Sequence, residues 1–192
     1  MTVANQITIF RILLIPVFVG LVIYYGKSVA LGAANESLRW WAVAVFVLAA
    51  ASDGIDGFIA RRFNQKSRLG VVLDPLADKG LLLAAIFSLA FSHWQPELPV
   101  WFALLVVARD IAIVAGVILM HYLVGKLEVA PTIAGKATTA LQMIVISWSL
   151  IGLDPRGLLV LVCLAAVATL WSGIQYLMAG IQLYQTHAHL HE

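Results

Sequence analysis

The sequence predicts an all-α integral membrane protein, a bundle of six transmembrane helices with a polar cavity facing the cytoplasm. Three observations carry that prediction. Hydrophobic residues make up 62% of the 192 positions and charged residues only 11%, with a mean hydropathy of +0.96, where a soluble domain carries about 25% charged residues. Six apolar runs follow one another, each roughly 20 residues long, the length that crosses a hydrocarbon core of about 30 Å. Lys and Arg outside the runs gather in alternate connectors, which orients the bundle with both termini in the cytoplasm. The net charge of +2 is too small to suggest a nucleic-acid partner, so membrane lipids are the expected surroundings.

Residues 1 to 26 start with a polar lead, MTVANQ, and continue as an apolar run broken by Thr8, Arg11 and Pro16. No Lys or Arg precedes Arg11 and no cleavage site follows, so this helix is expected to stay in the mature chain. Asn5, Thr8 and Arg11 recur every three residues and share one helix face. That face either starts the helix at the interface, with Arg11 snorkelling to head groups, or lines a polar cavity. A connector over 27–38 leads to the second run, which opens at Arg39 with the paired indoles of Trp40 and Trp41 at the interface. It continues through small residues, Ala49 to Ser52 with Gly54 and Gly57, which favour close helix packing.

RRFNQKSR over 61–68 is the densest basic cluster and is assigned to the cytoplasm. The third run spans Leu69 to about Ser92, and HWQPELP is an external connector. The fourth covers Val100 to about Val124, with Arg109 and Asp110 near its middle. GKLEVAPTIAGK returns the chain inside, the fifth run covers Ala137 to Leu153, and the sixth Leu158 to about Tyr184. The polar tail with His187, His189 and His191 is expected to be solvated. Cys163, the single cysteine, excludes an intramolecular disulfide and reads as a small core residue. The whole chain, 1–192, forms one membrane domain.

The stretch DGIDGFIARRFNQKSRLGVVLDPLAD, residues 53 to 78, holds the chemistry. Spacings of three and four residues put Asp53 with Asp56, and Asp74 with Asp78, on single helix faces. Two such faces turned together gather four carboxylates, which need a cation to coexist in an apolar protein. Oxygen ligands alone favour Mg²⁺, Mn²⁺ or Ca²⁺ over zinc. Capping is the competing role for Asp74, which precedes Pro75, but it accounts for one carboxylate of four.

Written as D-x2-D-G-x2-A-R-x8-G-x3-D-x3-D, the stretch resembles the signature of the CDP-alcohol phosphatidyltransferase family. The resemblance implies that a CDP-alcohol, normally CDP-diacylglycerol, gives its phosphatidyl group to an acceptor hydroxyl and releases CMP. It implies Mg²⁺ or Mn²⁺, two ions together, held by Asp53, Asp56 and Asp74, with Asp78 a ligand or the general base. Gly57 and Ala60 would leave room for cytidine, Arg61 would pair with a phosphate oxygen, and Gly70 would let the two Asp-bearing helices approach. The family usually opens with a similar N-x-x-T-x-x-R element, which places Thr8 with the donor site. Arg109 and Lys136 match the basic residues that bind the acceptor's phosphate; as neighbours on a helix, Arg109 and Asp110 are not expected to face each other. Lys79 either neutralises Asp78 or snorkels.

The chain length, the six spans and LDPLADK look most like the glycerol-phosphate branch of the family, a resemblance that implies glycerol 3-phosphate as the acceptor. Phosphatidylglycerol is the alternative, because ARD at Arg109 and APTIAGKATTALQ look like the cardiolipin-forming branch, and Asp110 stands where glycerol-phosphate enzymes more often carry Glu. A homodimer in a bacterial inner membrane, with its site toward the cytoplasm, completes the expectation. An ion-coupled transporter is a further reading, which requires repeats with carboxylates in both halves; no such repeat is evident.

Overall fold

The computed structural model describes the backbone of residues 3–62, 68–124 and 133–188. It describes side chains over 5–52, 73–74, 76–120, 122 and 133–181. The described residues form six helices and no strand: α1 (Val3–Ala30), α2 (Glu36–Arg62), α3 (Arg68–Phe91), α4 (Val100–Val124), α5 (Ile133–Ile151) and α6 (Pro155–Ala188). The six apolar runs are thus six helices. α1 continues four residues past the expected start of its connector, and α6 carries His187 within helix. His189, His191 and the connectors 63–67 and 125–132, which hold much of the loop charge, lie outside the described residues.

Local chemistry explains where the helices stop. Gly32 (φ 74°) and Gly152 (φ 77°) adopt the left-handed conformation that ends α1 and α5. In α1 the Ala33 and Gly32 amides donate to the carbonyls of Ser28 and Val29. In α5 those of Leu153 and Gly152 donate to Trp148 and Ser149. Asn35 caps α2, accepting at Oδ1 from the Ser37 amide at 3.1 Å, and Pro155 opens α6 at a position that needs no donor.

The chain groups into two compact units, residues 1–100 with 146–155, and 101–145 with 156–192. In the first, α1 packs along both α2 and α3, while among the described residues α2 and α3 barely touch. α1 and α2 are antiparallel: Phe18 meets Phe46 with ring centroids 5.6 Å apart, and Tyr25 meets Arg39. α1 and α3 are parallel in a nearly fixed register, with Ile15 against Gly80 and Gly26 against Ser92. A Cβ on Gly26 would lie 1.5 Å from the Ser92 carbonyl oxygen, so only glycine permits this approach.

One end of this unit is held by Arg39. Its Nε donates to the Leu150 carbonyl at 3.0 Å and its Nη2 to the Gln95 carbonyl at 3.1 Å. The guanidinium also lies over the rings of Tyr25 and Trp94, at 5.8 and 5.7 Å. Trp94, fully buried, donates to the Ser149 carbonyl at 3.0 Å, and the Ser149 hydroxyl donates to the Pro96 carbonyl at 2.9 Å. One side chain thus ties α1, α2, the α3–α4 connector and the end of α5. Arg39→Ala is expected to destabilise the protein by roughly 1.5–3 kcal/mol, the range for bonds to a charged donor. Thermal unfolding in detergent reads this as a clear fall in Tm.

In the second unit α4 and α6 run parallel, with Arg109 beside Gly173 and Met120 beside Gly180. Thr138 donates to the Ala168 carbonyl at 3.0 Å and Gln142 to the Thr169 hydroxyl at 3.3 Å, joining α5 to α6. Polar groups are buried here while large apolar ones, among them Ile111, Val114, Leu164 and Val167, are exposed. That inversion suits a lipid solvent, where backbone and side-chain polar groups must find partners inside the protein. Cys163 is exposed on α6 rather than in the core: its neighbour Val162 takes the inward position.

Among the described residues, α1, α4 and α6 contain stretches long and apolar enough to cross a membrane: Asn5–Ala30, Val100–Met120 and Pro155–Ile181. Of the polar residues singled out from the sequence, the other three helices carry Asp53, Asp56 and Arg61 on α2, Asp74 and Asp78 on α3, and Lys136 on α5, while Thr8 and Arg11 lie on α1 and Arg109 and Asp110 on α4.

Candidate functional site

Two helix faces meet at the end of the first unit remote from Arg39. On α1, Asn5, Thr8 and Arg11 point inward and are 4%, 0% and 0% exposed. On α3, Asp74 and Asp78 lie one turn apart. The Thr8 hydroxyl donates to Asp74 Oδ1 at 2.8 Å, and Arg11 Nη1 donates to Asp78 Oδ1 in an ion pair. Both contacts fall in the same register as Ile15–Gly80 and Gly26–Ser92, so the parallel packing of α1 on α3 aims them.

Arg11 does not snorkel to the interface, because a carboxylate stands within reach inside the protein. A buried guanidinium needs such a partner, and one that is bonded in this way is strongly oriented. Asp78 accepts from Arg11 yet is 48% exposed along its side chain, so it is both fixed and accessible. Asp74 lies two turns inside α3, which begins at Arg68; it therefore does not cap that helix.

The remaining donor-site positions fall on described backbone only. Asp53, Asp56, Gly57, Ala60 and Arg61 belong to the last turns of α2 and Gly70 to the first turn of α3, and their side chains lie outside the described residues. Among the described side chains no group of three or more His, Cys, Asp or Glu comes together.

The acceptor candidates lie in the second unit. Arg109 Nη1 bonds Asp110 Oδ1 at 2.8 Å, contrary to the expectation that neighbours on a helix do not face each other. The length of the arginine side chain lets it curl back across the roughly 100° between them. Its Nη2 donates to the buried Ser172 hydroxyl on α6 at 2.6 Å, and its guanidinium lies 5.7 Å from the centre of the Tyr176 ring. Lys136 is exposed on the first turn of α5. The polar face expected around it divides: Thr138 and Gln142 turn to α6, while the exposed Thr139 hydroxyl donates to the Gly135 carbonyl at 3.1 Å.

The sequence model of the CDP-alcohol phosphatidyltransferase family matches residues 1–175, which contain Thr8, Arg11, the four aspartates, Arg109 and Lys136. The chain belongs to that family. It is also 38% identical over 184 residues to proteins named CDP-diacylglycerol–glycerol-3-phosphate 3-phosphatidyltransferase in Escherichia coli strain K12 and Shigella sonnei strain Ss046, covering 93% of this chain and 94% of theirs.

Proposed function

We propose that this chain transfers the phosphatidyl group of CDP-diacylglycerol to glycerol 3-phosphate. A hydroxyl oxygen of the acceptor bonds to the phosphorus that carries diacylglycerol, the bond from that phosphorus to CMP breaks, and the hydroxyl proton leaves to a base. The products are phosphatidylglycerophosphate and CMP. Family membership supports the reaction class, and the names of the relatives support the acceptor. The observation that carries the site is the double pairing of Thr8 with Asp74 and Arg11 with Asp78.

The register of α1 on α2 supports a shared carboxylate pole. Phe18 faces Phe46; seven residues back on α1 and seven forward on α2 pair Arg11 with position 53. Ten in each direction pair Thr8 with position 56. Seven residues are close to two helical turns, so the facing side is retained. The two residues of α1 that hold the α3 carboxylates therefore lie level with the α2 aspartates along the sequence register.

Asp53, Asp56, Asp74 and Asp78 would hold Mg²⁺ or Mn²⁺ as a two-ion site, a set of oxygen donors suited to hard cations. When bound, the ions would neutralise the pyrophosphate and the leaving CMP. Asp78, oriented by Arg11 and half exposed along its side chain, would take the acceptor proton if it is not itself a ligand. Arg61 would pair with the donor's phosphates, and Gly57 and Ala60 would admit the cytidine. Arg109 and Lys136 would receive the acceptor's phosphate.

In this reading all six helices cross a bacterial inner membrane, the carboxylates open toward the cytoplasm, and two copies form a homodimer. Purified protein in lipid–detergent micelles with labelled CDP-diacylglycerol tests the reaction. CMP release is expected with glycerol 3-phosphate, to disappear with EDTA and to return with Mg²⁺ or Mn²⁺. Turnover with phosphatidylglycerol alone would move the assignment to cardiolipin synthesis. Ion flux into liposomes without CDP-lipid would favour transport.

A further inference from the structure

We propose that Ser172 and Tyr176 of α6 are positioning residues that set the aim of Arg109 toward the acceptor's phosphate. The inference rests on the reading of Arg109 as an acceptor-binding residue and adds to it the part of the chain that makes it specific. Arg109 sits within the apolar stretch Val100–Met120, where an ionisable group is costly and its partners define what it can do.

Three neighbouring positions of α6 are shaped to this one side chain. Ser172 is fully buried and accepts from Nη2 at 2.6 Å. Gly173 lies beside the stem, where even a Cβ would stand in ordinary van der Waals contact, 3.6 Å from Arg109 Cγ. Tyr176, one turn beyond Ser172, presents its ring 5.7 Å from the guanidinium carbon, a cation–π distance. Asp110 fixes the other terminal nitrogen at 2.8 Å. A guanidinium has five N–H donors, and these two bonds use one donor on each terminal nitrogen. Nε is buried with no hydrogen-bond partner among the described residues.

An arginine that only joined two helices would gain nothing from a fixed plane and would be served equally by a lysine or an amide. A phosphate monoester, in contrast, is recognised through paired N–H bonds whose direction matters. Arginine also loses much rotamer entropy on being fixed, and fixing it before the ligand arrives removes that loss from binding. The α6 contacts therefore belong with acceptor affinity rather than with the chemical step.

The test is steady-state kinetics of the full protein in lipid–detergent micelles, varying glycerol 3-phosphate and CDP-diacylglycerol separately. Ser172→Ala and Tyr176→Leu are expected to raise KM for glycerol 3-phosphate roughly tenfold each, with kcat and the KM for CDP-diacylglycerol nearly unchanged. Tyr176→Phe keeps the ring and is expected to keep the wild-type KM, a rescue that separates aim from bulk packing even if Ser172→Ala lowers Tm. Arg109→Ala should exceed either effect. If Arg109→Ala raises the acceptor KM while Ser172→Ala and Tyr176→Leu do not, the positioning role is wrong and the acceptor reading stands. If Arg109→Ala leaves that KM unchanged, both fall and the cluster is a helix lock.

Discussion

Asp74→Asn is expected to reduce CMP release by roughly three orders of magnitude, with glycerol 3-phosphate and with phosphatidylglycerol alike. The substitution keeps size and keeps an Oδ1 that can accept from the Thr8 hydroxyl, now 2.8 Å away, so the packing of α1 on α3 survives. What it removes is one negative charge. If Asp74 is a metal ligand, losing it forfeits several kcal/mol of stabilisation of the transferring phosphoryl group, and each 1.36 kcal/mol is tenfold in rate. On that reading the acceptor does not matter, because the carboxylates would serve the donor's pyrophosphate. Full activity in a folded Asp74→Asn protein would remove the site assignment; thermal unfolding near the wild-type temperature establishes that the variant is folded.

Arg11→Met carries the second largest effect. Methionine fills much of the same volume, so α1 stays seated, but Asp78 loses the group that orients it. Partners that hold a metal-binding or catalytic carboxylate are typically worth about 10- to 100-fold in affinity or activity. The expected result is a fall of that size in kcat together with a rise in the Mg²⁺ concentration needed for half-maximal rate. Arg11→Lys keeps the charge while losing the planar fork, and should recover part of both. An unchanged metal dependence in Arg11→Met would show that the Arg11–Asp78 pair belongs only to the fold.

These expectations depend on a contact that the sequence suggested without specifying. The i, i+3 spacing of Asn5, Thr8 and Arg11 gave them a common face, and the i, i+4 spacing of Asp74 and Asp78 gave those another. Periodicity assigns a face to a helix but does not say which helix lies against it. Spacing alone left both interfacial snorkelling and an inward polar face open to Arg11; the N-x-x-T-x-x-R element favoured the inward face, and the parallel register of α1 on α3 shows it. The approach of the two Asp-bearing helices expected at Gly70 falls outside the described side chains; among the described residues α1 packs along both.

Helix number and centres were readable because 20-residue apolar runs have few alternatives. The ends were less so: Lys27 and Ser28 read as connector, yet α1 continues to Ala30 and stops where Gly32 can turn left-handed. Arg39 was read with Trp40 and Trp41 as an interface marker, and its bonds to Leu150 and Gln95 were invisible, since carbonyl acceptors leave no mark in a sequence. Arg109 shows the opposite error. A helical-wheel angle argued against its pairing with Asp110, but such angles locate Cβ atoms, and a long side chain can end well away from its own.

Whether the α2 and α3 aspartates serve a single ion site is open to one direct measurement, Mn²⁺ binding followed by electron paramagnetic resonance on purified wild-type, Asp53→Asn and Asp74→Asn proteins. Each substitution alone is expected to weaken tight Mn²⁺ binding by at least about tenfold. An Asp53→Asn protein that binds Mn²⁺ as the wild type does, while Asp74→Asn does not, would separate the two helices and contradict a shared carboxylate pole.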